Sequence, residues 1–154
     1  MKLLFKETRP HTIDEALKLG EGTSIEFKRS ISFDNQGSVD QILQTIVAIA
    51  NSGDGTLLIG IEDDGKVRGI KLDTTQEKDR LSQRIHQVVR QRIKPSPPIQ
   101  VDFPDARGIL VCRIFVPRGE EPLYFLDGVI YVRYGPTDIK AQPEIVKRLL
   151  AAYA

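Results

Sequence analysis

The spacing of apolar residues changes several times along the chain, and each change marks an element. "TIDEALKLGEG" has helical spacing, with Thr12 as N-cap, Glu15 three residues on and Gly20 as the stop. "TSIEFKRSI" then alternates: Ile25 and Phe27 fall on one face, and Ser24, Glu26 and Lys28 on the other, as in a half-buried strand. "SVDQILQTIVAIAN" is the clearest helix. Val39, Ile42, Leu43, Ile46, Ile49 and Ala50 share one face, and Ser38 with Gln41 forms a capping-box pattern. "NSGDG" breaks it. "TLLIGIED" is continuously apolar, which predicts a central strand covered on both faces and ending in Glu62, Asp63 and Asp64. Gly65 turns the chain toward "KVRGIKL", a hairpin partner.

"TQEKDRLSQRIHQVVRQRIK" is an amphipathic helix with Leu81, Ile85, Val88 and Ile93 inward, its arginines outward, and Pro95, Pro97 and Pro98 at its end. "IQVDFPD" and "GILVCRIFVPRG" read as strands joined by a turn at Ala106–Gly108, and "VIYVRYG" as another strand. "AQPEIVKRLLAAYA" closes as a helix, with Pro143 in its first turn. The expected architecture is one α+β domain over residues 1–154, a mixed sheet of about five to six strands packed with three to four helices.

Composition narrows the setting. The 154 residues suffice for one substantial core, and 40% apolar with 28% charged residues is an ordinary soluble composition. No apolar run approaches the ~20 residues of a membrane span, and "MKLLFKE" is broken by charge too early for a secretory signal. Cys112 stands alone, which excludes an internal disulfide. With only His11 and His86 beside it, no zinc is expected. A cytoplasmic location is expected. The net charge of +1 hides an uneven distribution: bases gather at Arg80, Arg84, Arg90, Arg92 and Lys94, acids in "IEDDG".

Three acids invite a chemical reading. Glu21, Glu26 and Asp63 are hard oxygen ligands of the kind that hold Mg²⁺ or Mn²⁺ for phosphodiester hydrolysis. Glu21 and Glu26 would face opposite ways on a straight strand, so cooperation requires a bend, which Gly20 and Gly22 permit. Spacing alone equally describes solvated turn and strand-end acids. Lys28 and Arg29, the arginine helix (Arg80, Arg84, Arg90) and Arg133 offer phosphate contacts, and Tyr131 or Tyr134 offers a ring for a base. "NSGDG" lacks the Lys-Ser/Thr of a Walker A loop and follows a helix, so it reads as a helix end with Asn51 bonding neighbouring backbone. His86 reads as structural, and Cys112 as a buried strand residue.

Together, "EGTSIEFKRS", "AIANSGDGTLLIGIEDDGKVRGI", "IKPSPP" and "YVRYGPT" resemble the Schlafen-type AlbA_2 domain, from about Glu21 to the last helix. Asp54 departs from the glycine pair usual in that family. The resemblance implies a nucleic-acid-binding module. In the eukaryotic relatives the module is duplicated and acts as an endoribonuclease on structured RNA such as tRNA, with metal-binding carboxylates that fall on Glu21, Glu26 and Asp63. The leading expectation is therefore a domain that binds RNA or DNA, in its sharper form a Mg- or Mn-dependent endoribonuclease. A non-catalytic DNA-binding regulatory module is the alternative, and a nucleotide- or protein-interaction domain with structural acids a third. The duplication also implies pairing of single copies as a homodimer.

Overall fold

Strand β2 (Gly55–Ile59) is buried at every residue and organises the rest. The structure, a computed structural model, describes residues 9–152. The opening "MKLLFKE" and the last two residues of the segment "AQPEIVKRLLAAYA" lie outside the described residues. In chain order the elements are α1 (Ile13–Leu19), β1 (Ile25–Lys28), α2 (Gln36–Ser52), β2, α3 (Thr75–Arg92), β3 (Ile93–Lys94) and β4 (Gln100–Asp102). There follow β5 (Asp105–Ala106), β6 (Ile109–Leu110), β7 (Cys112–Val116), β8 (Phe125–Leu126), β9 (Tyr131–Tyr134), β10 (Thr137–Lys140) and α4 (Pro143–Ala151). The class is α+β, as expected.

The main sheet has four strands in the order β1-β2-β7-β4, with β1 parallel to β2 and the other pairs antiparallel. Side chains of β2 alternate between two cores. Leu57 and Ile59 join the larger one with α2, Ile85, Val89 and Ile93, while Leu58 joins Ile25, Phe27, Ala16 and Val111 under α1. The unbroken apolar run follows from this two-sided coverage. Truncating Leu57, wholly buried, to alanine is worth about 2–5 kcal/mol.

The expected five- to six-stranded sheet is smaller because "VIYVRYG" leaves it. β9 pairs with β10 in a separate antiparallel hairpin, across a turn at Gly135, whose φ is +57°. The predicted "KVRGIKL" partner reduces to one bridge, Ile61 with Val67. Gly60 limits it: at φ +106° its carbonyl takes the N–H groups of Arg68 and Gly69, both at 2.8 Å. A Cβ there would lie 3.0 Å from the Gly69 carbonyl carbon, so the two backbones can approach only as glycines. This crossing sets where Glu62, Asp63 and Asp64 emerge.

The helix caps are partly as predicted. Thr12 Oγ1 accepts the Glu15 N–H at 3.1 Å, and Gly20 ends α1 at φ +72°. For α2 the cap is Asn35, not Ser38: Asn35 Oδ1 accepts the Ser38 N–H at 3.2 Å, so the helix starts earlier. Ser38 instead accepts the Ser32 N–H. Asn51 does more than close the helix locally. Its amide nitrogen donates to the carbonyls of Tyr124 and Tyr131, each at 2.9 Å, and its oxygen accepts the Tyr124 N–H at 2.7 Å. It thereby pins two distant segments to α2.

Candidate functional site

The bend that Gly20 and Gly22 permit is present. The Gly22 N–H donates to the Ile25 carbonyl at 2.9 Å, and Glu21 folds back so that its Oε1 accepts the Phe27 N–H at 3.0 Å. Strand β1 is an edge of the sheet, and a carboxylate satisfies this N–H where no further strand does. Glu26 pairs in register with Leu57, which places it on the α2 face of the sheet, and its side chain is only 9% exposed. Burial, and then a hydrogen bond with the Glu21 carboxyl, raise the Glu26 pKa to about 7, against the opposing pull of Arg133 and Lys28. The two acids of "EGTSIEFKRS" do meet.

Their partner is Arg133, whose side chain is fully buried. Nη1 donates to Glu26 Oε1 at 2.8 Å and to Asp138 Oδ1 at 2.6 Å. Nη2 donates to the carbonyls of Gly22 at 2.8 Å and Ile25 at 3.2 Å, while Nε is buried without a partner. Thr45 on α2 donates to Asp138 Oδ2 at 2.7 Å, and Ser52 Oγ accepts the Arg133 N–H. One guanidinium thus ties the Glu21–Glu26 turn, the β9–β10 hairpin and α2 together. The expectation that Arg133 touches phosphate is corrected: its donors face inward.

Asp63 lies elsewhere. It is exposed and lines an open cavity of about 390 Å³ with Arg29, Glu62 and Asp64, where Arg68 pairs with Glu62 at 2.9 Å. Among the described residues no group of three or more His, Cys, Asp or Glu side chains is placed to hold a metal ion. The donor set does not fit a three-carboxylate Mg²⁺ or Mn²⁺ centre as arranged, because Glu26 already has a cation, Arg133, within hydrogen-bond distance and Asp63 belongs to another surface.

The basic candidates divide by exposure. Arg80, Arg84 and Arg90 are exposed along α3, and the Arg84 guanidinium lies over the Phe33 ring, 4.3 Å from its centroid. Arg92 is withdrawn into ion pairs with Asp40 at 2.6 Å and Asp127 at 2.5 Å. Lys28 and Arg29 line a second cavity, of about 340 Å³, with Ser30, Asn35, Ser38 and Gln41. Tyr131 packs partly against the core and its carbonyl is held by Asn51, whereas Tyr134 is 76% exposed. Of the two rings, Tyr134 is the one open to a base. His86 is half-buried, and burial followed by Arg90 lowers its pKa. Cys112 is fully buried.

Sequence reading missed Asp138 and Thr45, which complete the Arg133 network. A usable signal was present: a tight turn at Gly135-Pro136 places residue 138 opposite residue 133, and these two are paired in β9–β10.

Among solved structures the fold is similar to the DIP2311 protein from Corynebacterium diphtheriae, with a TM-score of 0.61 and 23% identity. That match covers 86% of this chain and 24% of the other, so the chain spans about a quarter of that protein's length. It is also similar to the N-terminal domain of a RecG-related protein from Nitrosomonas europaea, named for an ATP-dependent DNA helicase, with a TM-score of 0.53 and 22% identity over 84% of this chain and 90% of that one. No curated protein matches the chain. The family model described as "Schlafen, AlbA_2" matches residues 21–142, from the buried carboxylate turn to the start of the last helix. The chain belongs to the Schlafen AlbA_2 family.

Proposed function

We propose that this domain binds nucleic acid through the phosphate backbone, with the solvent face of α3 as its main contact, and that it binds without cutting. One observation carries the reading: from Arg80 to Val101 the chain contains no acid, and Arg80, Arg84 and Arg90 are all exposed on one helix. Residues three, four and seven apart share a helix face, so these arginines with Gln83, Gln87 and Gln91 form a strip of cations and amides. Phosphates are bound by such cations with little regard to sequence. The exposed Tyr134 adds a surface on which a base can stack. The family and the RecG-related neighbour, itself named for a DNA helicase, support a nucleic-acid role. Cleavage would require Glu26 to exchange Arg133 for a metal and Asp63 to join it, and the pairing of Glu26 inside the protein argues for binding alone.

The test is fluorescence anisotropy of labelled single-stranded RNA, single-stranded DNA and duplex across a salt series. Affinity is expected to fall steeply as salt rises. Replacing Arg80, Arg84 and Arg90 together by Gln should flatten the slope of log K against log salt by about 2 for single strands. Binding that ignores salt, or a triple variant with wild-type affinity, defeats the reading. Parallel incubation with Mn²⁺ decides the catalytic question: strand cleavage lost in Glu26→Gln overturns binding alone and establishes the nuclease.

A further inference from the structure

The cavity between β1 and α2 adjoins the carboxylate network through Lys28, but its lining includes neither Glu26 nor any residue of α3. Its lining has a single chemical character. Lys28 and Arg29 bring two cations, Ser30 and Ser38 hydroxyls, Asn35 and Gln41 amides, and none of the lining side chains is a carboxylate. Two of the acceptors among them are already engaged. Asn35 Oδ1 takes the Ser38 N–H and Ser38 Oγ takes the Ser32 N–H, which leaves the Asn35 NH₂ and the Ser38 O–H as donors. The Lys28 side chain is only 23% exposed, and its ion pair with Glu26 is long, at 3.9 Å. Arg29 stands 4.0 Å from Glu62. Each cation has hydrogen bonds to spare.

We infer that this cavity is a phosphate subsite. It holds one phosphate of a bound strand, with Lys28 and Arg29 as counter-charges and Ser38 and Asn35 as donors. A lining of donors is matched by a ligand made of acceptor oxygens carrying negative charge. At about 340 Å³ the space is at the lower end of the ~300–1,000 Å³ of small-molecule sites, enough for a phosphate and its adjoining sugar. Phe33 belongs to the loop that bounds the cavity, and Arg84 lies over its ring, so the basic strip of α3 reaches the rim. The inference rests on the nucleic-acid reading and gives it a fixed anchor point. A backbone diester, a strand's terminal phosphate and a free nucleotide share this chemistry.

The amide signals of Ser30, Gly37 and Ser38 report on the cavity by NMR. The probes are inorganic phosphate, AMP, and one single-stranded octanucleotide with and without a 5′-phosphate. Both octanucleotide forms are expected to shift these signals in the wild type. Gln41→Glu, an isosteric change on a helix that adds a carboxylate to the lining, should abolish the shifts, and Lys28→Gln should weaken octanucleotide binding about tenfold. Lys71→Gln, which removes an exposed charge away from the cavity, should do neither. Tighter binding of the 5′-phosphorylated form assigns the cavity to a terminal phosphate, and equal binding to a diester. Shifts with AMP and inorganic phosphate alone keep the subsite and overturn the nucleic-acid reading. Salt-dependent octanucleotide binding through α3 with these signals unmoved, or unaltered shifts in Gln41→Glu, overturns the subsite and leaves the function standing.

Discussion

The raised pKa of Glu26 makes stability depend on pH in a direction opposite to that of most carboxylates. Its ordinary value is 4.5 and its value in the fold is about 7, so ionising it inside the protein costs on the order of 3 kcal/mol. Below about pH 4.5 the group is protonated in both folded and unfolded chains. Between 4.5 and 7 the folded chain keeps a proton that the unfolded chain has lost, so stability falls as pH rises; above 7 the whole penalty is present. Glu26→Gln removes the titration while keeping an acceptor for Arg133 Nη1 and supplying a donor for Glu21. The assay is urea denaturation followed by circular dichroism in half-unit steps from pH 4.5 to 8.5 at constant ionic strength. His86, lowered by burial and by Arg90, acts the other way over part of this range, so the difference between variant and wild type is the quantity to read. The variant should gain on the wild type by about 2–3 kcal/mol between pH 5 and 8, roughly 4–12 °C in Tm for a chain of this size. A difference that stays flat, or moves in favour of the wild type as pH rises, refutes the reasoning.

Three further outcomes test the packing around the site. Arg133→Met strands Glu26, Asp138 and two carbonyls and should cost about 3–5 kcal/mol in urea unfolding at pH 7; a loss below 1 kcal/mol would show that the network is dispensable. Asn51→Leu removes three hydrogen bonds to the Tyr124 and Tyr131 backbone, and should lower stability by about 3 kcal/mol, read from the same curves. Cys112, whose thiol is pushed up to about 12 by burial and then by Asp102, should resist a thiol reagent at pH 8 in the native protein and react fully once unfolded; rapid native reaction would contradict its burial.

How much of this could be read from the sequence depended on how local the cause was. Thr12, Gly20 and the run Leu57–Ile59 act through their own neighbours, and the predicted helix, stop and central strand are all present. Ser38 misled because Asn35, three residues before it, takes the extended backbone a cap requires, at φ −116° and ψ 106°, which leaves Ser38 inside the helix. The position of "VIYVRYG" was not legible. Its alternation fits a sheet strand and a detached hairpin equally, and the choice is made by Asn51 and Arg133, which hold it to α2 and the β1 turn from 80 and more residues away. The candidate site divides in the same way. The bend joining Glu21 to Glu26 could be foreseen from two glycines, whereas the fate of Arg133 could not, because a sequence does not distinguish an arginine facing phosphate from one facing a buried acid.

That distinction also explains why the net charge of +1 says so little. Arg133 neutralises Glu26 and Asp138, Arg92 pairs with Asp40 and Asp127, Arg113 with Asp102, and Arg68 with Glu62. These cations and acids cancel at short range and project little field into solvent. Among the described residues no carboxylate ion pair involves Arg80, Arg84 or Arg90, and all three are exposed. The field a polyanion meets is therefore set by the exposed charges outside such pairs, Arg80, Arg84 and Arg90 on α3 among them, and not by the sum over the chain. The same reasoning sorts the acids. Glu26, foremost as a candidate catalyst by sequence, is buried and partly protonated near neutral pH, so it offers an approaching phosphate little repulsion. Lys28 then stands between a weakly charged acid and a cavity without carboxylates, where its charge is available to a ligand.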